Sequence, residues 1–241
     1  MSNTEWIRAG VDVLQAIISG VFVGLIIYWL DERRAKRDRR LSDFRIASNW
    51  SKSKPKISLR NFDLTKTNLS GRNFVQADLE SASFERAVIW GSNFGKANLR
   101  AANFRNTNLV GVIFKQAMVY RADFSNATIS RKTYPDIDYQ PDFTRATLHR
   151  ANFRKAKIHG ALFKGANLES ADFTGANIQN CDFSGADLKD STWRNIKHFD
   201  GCIWNGVKNL TPDNLPLKLW EEIQAQNAEP RKNKRNGQQS D

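Results

Sequence analysis

Residues 165–188 read "GANLESADFTGANIQNCDFSGADL", a stretch that repeats itself every five residues. Leu168, Phe173, Ile178, Phe183 and Leu188 recur at that spacing, and Ala166, Ala171, Ala176, Cys181 and Ala186 stand two places before them. A period of five matches neither the 3.6 of a helix nor the 2 of a strand. A stack of helices and an alternating sheet are both excluded, and a serial array of one small unit remains. The period extends outward in both directions. A first run of centres goes from Leu59 through Leu64, Leu69 and Phe74 to Phe124 and Ile129. A second goes from Phe143 through Leu148, Phe153 and Ile158 to Trp193, and decays through His198 to Ile203. The residue two before each centre is usually small, and the residue one before is usually Asn or Asp.

The units "ANLES", "ADFTG" and "ADLKD" resemble those of the pentapeptide-repeat proteins, whose consensus is A(D/N)Lxx. The resemblance covers about residues 57–205. It implies an all-β solenoid, a right-handed quadrilateral β-helix in which each pentapeptide forms one side of a square coil. The centre and the small residue point inward, and the other three positions face out.

Residues 20 apart then share a side. Leu59, Leu79, Leu99 and Val119 form one column and Leu64, Phe84, Phe104 and Phe124 the next. Leu69, Ile89, Leu109 and Ile129 form the third, and Phe74, Phe94 and Phe114 the fourth. Aliphatic and aromatic columns alternate, which supports an even-sided coil; a plain ten-residue alternation would give the same pattern. Outside, Arg60, Glu80 and Arg100 alternate in sign on one side, as do His149, Glu169 and Lys189. Stacked strands lie about 4.8 Å apart, so such neighbours attract, and seven coils make a rod roughly 34 Å long.

The repeat is interrupted once. "SRKTYPDIDYQPD", 130–142, separates Ile129 from Phe143 by 14 residues instead of 15. Tyr134, Pro135, Tyr139 and Pro141 suit a protruding loop, and irregular loops on rigid scaffolds often carry function. Tyr134, Asp136, Asp138 and Tyr139 are therefore the candidate partner-binding residues. A solenoid also needs its open ends covered. Residues 44–57, with Phe44, Ile46 and Trp50, are placed to cover the first coil. Thr211 or Asn214 can open a capping helix over about 213–226, with Leu215, Leu219 and Ile223 on one face and Trp220 beside them. In the resembled family such terminal helices can also mediate dimers. The tail after Glu229 has no apolar residue and reads as disordered.

The N-terminus carries a different signal. Val11–Leu30, "VDVLQAIISGVFVGLIIYWL", is long enough at about 1.5 Å per residue to cross a bilayer. The positive residues follow it, which is the order of an uncleaved anchor and not of a signal peptide. Arg33, Arg34, Lys36, Arg37, Arg39 and Arg40 would then be cytoplasmic, with the N-terminus outside and everything after residue 31 in the cytosol. They can also lie against anionic headgroups. Ala16, Gly20 and Gly24 share a helix face, and GVFVG is a GxxxG motif through which two copies can associate as a homodimer. The domains are thus 1–30 with a transmembrane helix, 31–56 a basic juxtamembrane helix and linker, 57–210 the β-helix, 211–228 the cap and 229–241 the tail.

No constellation of nucleophile, base and orienting group occurs, and there is neither GxGxxG nor GxxxxGK[ST]. The histidines are scattered: His149 and His159 fall on opposite sides of a square coil, and His198 takes a centre position. Two cysteines make neither a disulfide framework nor a zinc site, and Cys181 occupies an inward small position. An enzyme is disfavoured, and no cofactor, metal or small-molecule substrate is expected. The formal net charge of +12 attracts anions. The best-known soluble members of the resembled family mimic DNA with an acidic rod and bind a topoisomerase; this basic rod departs from that pattern, so that function does not carry over. Nucleic acid itself is the alternative partner. Yet Arg145, Arg150, Arg154, Lys155, Lys157 and Lys164 lie on several sides, not along one stripe. The leading expectation is a non-enzymatic, single-pass protein of the cell membrane that presents a rigid cytosolic β-helix to an unidentified protein partner.

Overall fold

Backbone pairing fixes the number of sides. In the computed structural model, which describes the backbone of residues 3–52 and 57–228 and the side chains of 25–51, 57–213 and 215–228, four successive pentapeptides each pair in parallel with the pentapeptide 20 residues on. Asp63 pairs with Ser83, Asn68 with Val88, Asn73 with Asn93 and Asp78 with Asn98. The coil is a square, and ten-residue alternation is a consequence of it. Most sides are too short to count as strands. One side is longer and forms a parallel sheet in the order β1-β2-β5-β6, made of β1 (Asn108–Val110), β2 (Thr128–Ser130), β5 (Lys157–His159) and β6 (Asn177–Gln179). A hairpin of β3 (Lys132–Thr133) and β4 (Asp138–Tyr139) lies between β2 and β5.

The consensus follows from the corner. The centre carbonyl of one side accepts the N–H three residues on, as Phe74 does from Ala77 at 2.9 Å. The residue between, two after the centre, has positive φ at nearly every corner, for example +62° at Gln76 and +58° at Lys96. That is a type II turn, whose third position Gly fills without strain and other residues fill at about 1 kcal/mol. The N–H one place after the centre would be orphaned. The Asn or Asp one place before it supplies the acceptor: Asp63 takes the N–H of Thr65 at 3.0 Å, Asn93 that of Gly95 at 2.8 Å and Asp182 that of Ser184 at 2.9 Å.

Inside, the aromatic columns stack as the sequence implied. Phe84, Phe104 and Phe124 follow one another at 4.7 and 4.9 Å with interplanar angles of 1°. Phe94, Phe114 and Phe143 do the same across the square at 5.3 and 4.8 Å. The two columns meet edge to face, as in Phe114–Phe124 at 5.9 Å and 86°. Each ring therefore has stacked and perpendicular neighbours at once, and each such pair adds about 0.5–1.5 kcal/mol beyond burial. The alanines leave the width that the rings occupy.

Both ends are closed by side chains that replace the missing coil. Helix α1 (Asn3–Asn49) divides between two units, 1–42 and 43–241. Within the second unit the Asp43 carboxylate accepts the N–H of Asp63 at 2.8 Å, the bond a preceding coil would have made. Trp50 is buried against Phe74 and donates to the Ile57 carbonyl at 2.6 Å. At the other end α2 (Leu217–Ala228) buries Leu219 and Ile223. Its Gln226 accepts the N–H of Trp204 at 2.9 Å and donates to the carbonyl of Cys202 at 2.9 Å. One carboxamide reproduces both halves of a peptide group, and Asn227 accepts the N–H of Gly206 at 2.8 Å. The cap differs from the expectation in detail: the helix starts at Leu217, after a single 3-10 turn Pro212–Asn214, and Thr211 makes no side-chain capping bond.

Two further readings are corrected or bounded. An extra residue after Trp193 shifts the last coil, so that Asn177 pairs with His198, 21 residues on. The centres there are Phe199 and Trp204, and His198 and Ile203 face outward. The period decays only if the slip is overlooked. Among the described residues no helix is long and apolar enough to cross a membrane. Of the expected span 11–30, only the side chains of 25–30 fall among those described, and all six are exposed.

Candidate functional site

The interruption at 130–142 is a hairpin folded back onto the rod, not a protruding loop. Register across it rises from 20 residues (Ile129 opposite Leu109) to 29 (Ile158 opposite Ile129), so nine residues are inserted. Tyr134 and Ile137 close the turn, with the Tyr134 N–H donating to the Ile137 carbonyl at 2.8 Å. Arg131 clamps the hairpin base: its guanidinium donates twice to the Asp138 carboxylate, at 2.9 and 2.6 Å. That pairing holds Asp138 below the usual carboxylate range and raises the pKa of Arg131. Gln140 ties the returning strand to the Gly160 carbonyl at 3.1 Å.

The hairpin seats on a corner made of glycine. Gly71, Gly91, Gly111 and Gly160 share one edge of the square, all at positive φ. The backbone conformation alone does not demand glycine, since Lys, Arg and Gln adopt it at other corners. Contact does. A β-carbon at Gly111 would stand 2.5 Å from Tyr139 Cβ, one at Gly91 would stand 2.9 Å from the Tyr139 ring, and one at Gly160 would stand 2.7 Å from Arg131 Cβ.

Between hairpin and rod runs a groove of about 590 Å³. Its floor is the backbone of Gly71 and Gly91 with Val110. Trp90 forms the rod wall; Tyr134, Ile137 and Tyr139 form the hairpin wall. Trp90 is 38% exposed, Tyr134 42% and Ile137 53%. The Lys132 ammonium rests over two of these rings, 5.3 Å from Trp90 and 5.0 Å from Tyr134. Tyr134 and Tyr139 meet edge to face at 6.0 Å. The groove holds no nucleophile–base pair; what it offers is an aromatic and aliphatic cleft with one cation.

Of the residues singled out from sequence, Tyr134 and Tyr139 line this groove, Asp138 braces it through Arg131, and Asp136 lies at the hairpin tip. Trp90, Lys132 and Ile137 were missed. The glycines at 91 and 111, spaced by 20, were the available signal: both lie under Tyr139, and paired corners without side chains mark where another segment approaches.

Other candidates remain apart. The basic residues of 145–164 are spread around the square, and two are neutralised, Arg154 by Asp172 at 2.9 Å and Lys164 by Asp182 at 2.9 Å. The expected outer ladders form only in part, since among the described residues no ion pair joins Glu80 to Arg100. Arg60 pairs with Glu80 at 3.0 Å, while Arg100 lies over Tyr120, which stacks on His149 at 5.3 Å. His149 then meets Glu169 at 3.5 Å, and Lys189 meets Glu169 at 3.2 Å. His198 is exposed and faces Asp200 at 3.6 Å. Cys202 occupies the inward small position one coil after Cys181; both are buried free thiols, and burial pushes the Cys181 thiol up. Among the described residues no three His, Cys, Asp or Glu are grouped to hold a metal ion.

On α1, Arg34 pairs with Asp31 at 3.6 Å, Lys36 with Glu32 at 2.6 Å and Arg37 with Asp38 at 3.7 Å. Arg33 lies 3.6 Å over the Trp29 ring. Arg39 and Arg40 belong to the same helix. Ala16, Gly20 and Gly24 lie outside the residues whose side chains are described.

The repeats match the model of the family described as "Pentapeptide repeats", in eight copies that include residues 63–131 and 140–190. The gap between those stretches falls on the hairpin. Among solved structures, trypsin-treated QnrB1, a plasmid-mediated fluoroquinolone resistance protein, is 22% identical over 69% of this chain and 84% of its own, with a TM-score of 0.53. HetL, a pentapeptide repeat protein involved in heterocyst differentiation regulation in the cyanobacterium Nostoc sp. strain PCC 7120, is 20% identical over 70% and 97%, with a TM-score of 0.23. No curated protein matches by sequence. Proteins with these repeats are in general non-enzymatic structural or interaction proteins. With a square coil, an A(D/N)Lxx corner chemistry and matched repeats on both sides of the hairpin, the chain belongs to the pentapeptide repeat family.

Proposed function

We propose that this protein is a membrane-anchored, non-enzymatic scaffold that holds the β-helix in the cytosol as a protein-binding surface. The observation that carries the reading is the docked hairpin. It is the one large departure from a regular repeat among the described coils, and it converts a plain corner into a groove walled by exposed aromatic side chains. Rigid solenoids bind partners through extended faces, and exposed aromatic clusters mark such places. The anchor rests on the apolar block Val11–Leu30 followed by basic residues, which orients the rod inward. Self-association through Ala16, Gly20 and Gly24 would present two rods side by side.

The register gives a clean test. Excising Arg131–Tyr139 removes nine residues and places Ile129 and Phe143 five apart, which restores an uninterrupted repeat. The excised protein should fold and fractionate with membranes like the parent, and should lose the proteins crosslinked to the parent in cells. Unchanged crosslinks would remove the hairpin from the binding surface. A cytosolic reporter fused after Asp241 should be active, and an inactive one would reverse the orientation. Gly20→Ile with Gly24→Ile should abolish crosslinked dimers.

A further inference from the structure

We infer that the groove beside the hairpin takes an acidic, apolar segment of a partner protein, with a large side chain between Trp90 and Ile137 and a neighbouring carboxylate on Lys132. This rests on the protein-binding reading above and adds the chemistry of the occupant.

Three observations converge. The first is charge. Lys132 is the only charged residue lining the groove, and among the described residues it makes no ion pair. The adjoining Arg131 differs: it is spent on Asp138. Held over two ring faces, the Lys132 ammonium keeps donors free toward the cleft, and no carboxylate lines the groove to satisfy them. The second is shape. The lining includes Gly71, where nothing lies within 4 Å of a β-carbon position, so a peptide main chain can approach that corner, while Trp90, Tyr134 and Ile137 stand beside it with large exposed areas. Aromatic walls around a water-excluding cleft are where binding energy concentrates in protein interfaces. The third is the field. A net charge of +12 favours encounter with acidic segments and disfavours basic ones. A nucleic acid would need a cationic stripe, and this cleft holds one cation.

The test uses the full-length protein and three fluorescein-labelled peptides of about twelve residues, each with a central Phe-Leu pair. The flanks are Asp and Glu in one, Ser and Gly in the second, and Lys in the third. The acidic peptide should bind, with the neutral one about tenfold weaker and the basic one weaker still. Lys132→Glu should erase or invert that order. Trp90→Ala should weaken the acidic peptide about tenfold or more, while the thermal melt stays that of the parent because Trp90 points away from the core. Equal binding of all three peptides, no binding by any, or an acidic preference that survives both Lys132→Glu and Trp90→Ala would overturn the inference. If it fails in this way while crosslinks still depend on the hairpin, the groove chemistry is wrong and the scaffold reading stands. A single-stranded oligonucleotide that displaces the acidic peptide from the parent at physiological salt would also overturn it.

Discussion

Gly111 and Gly185 have almost the same φ, +60° and +67°, at the same point of a pentapeptide, yet they answer to different needs. Nothing lies within 4 Å of where a β-carbon on Gly185 would be, whereas on Gly111 it would stand 2.5 Å from Tyr139. At one corner glycine relieves local strain; at the other it makes room for a second layer of structure. The rod's interior behaves like Gly185: every position is set by its neighbours in the repeat. The hairpin corner behaves like Gly111: its residues are set by something added to the repeat. Substitutions separate the two kinds of constraint.

The largest effect lies in the repeat itself. Phe114 is fully buried, stacked at 5.3 Å on Phe94 and 4.8 Å on Phe143, with perpendicular contacts to Phe104 and Phe124. Phe114→Ala should cost about 3–5 kcal/mol, read as a lower midpoint in urea. Because each coil touches only its neighbours, the loss should fall on the coils around it and broaden the transition. Peptide binding in the groove should fall with it, since the hairpin leaves from the next coil. Second is the end of the repeat. Gln226→Met keeps the bulk of the side chain but leaves the Trp204 N–H and the Cys202 carbonyl without partners. It should cost about 1–3 kcal/mol, with faster amide exchange confined to the last coil. Gln226→Glu restores only the acceptor and should recover part of the loss.

The glycine pair comes third. Gly185→Ala adds a methyl in open space, and its cost is that of a left-handed alanine, about 1 kcal/mol. Ala101 adopts φ +54° in the same position of the repeat, so the rod tolerates it. Gly111→Ala adds the same strain plus a collision with the Tyr139 main chain, which cannot rotate away. It should melt close to Gly185→Ala but release the hairpin, so that trypsin cuts after Arg131 and Lys132. Equal protease resistance in the two variants would show that Tyr139 does not need the space.

This contrast also explains what could be read from the chain alone. The square coil, the alternating columns and the buried alanines follow from spacing, because each inward residue is dictated by the residues 20 away. Even the two end caps were visible as Trp50 and the Leu219–Ile223 face. The slip after Trp193 was not. One extra residue moves every later side chain, and "WRNIKHFDGCIW" offers both Ile196 and Phe199 as apolar candidates until backbone pairing chooses. The groove was half legible. Tyr134 and Tyr139 stood out because they broke the period. Trp90 did not, because "AVIWG" obeys the period, and an outward Trp gains meaning only when the hairpin arrives beside it. Contacts between an insertion and the array it interrupts have no sequence spacing of their own.

The smallest effect is a pH dependence confined to the hairpin. Asp138 is held below the usual carboxylate range chiefly by the hydrogen bonds from Arg131, with charge attraction and Thr133 adding to them. A carboxyl more acidic in the folded state than in the unfolded one stabilises the fold above its unfolded pKa, near 3.9, and stops doing so as pH falls through the lowered folded value. Hairpin docking should therefore stay constant from neutral pH to about pH 5 and weaken below about pH 4. Both groups are open to solvent, so the change is modest and added salt should mute it. The readout is the protection of the Tyr134 amide, which donates inside the hairpin, corrected for intrinsic exchange at each pH. In Asp138→Asn protection should start lower and stay flat over the same range. A parent profile as flat as the variant's would mean that the fit of Tyr139 against the glycine corner, and not the ion pair, holds the hairpin down. The corner glycines, not Arg131, would then set whether the groove exists.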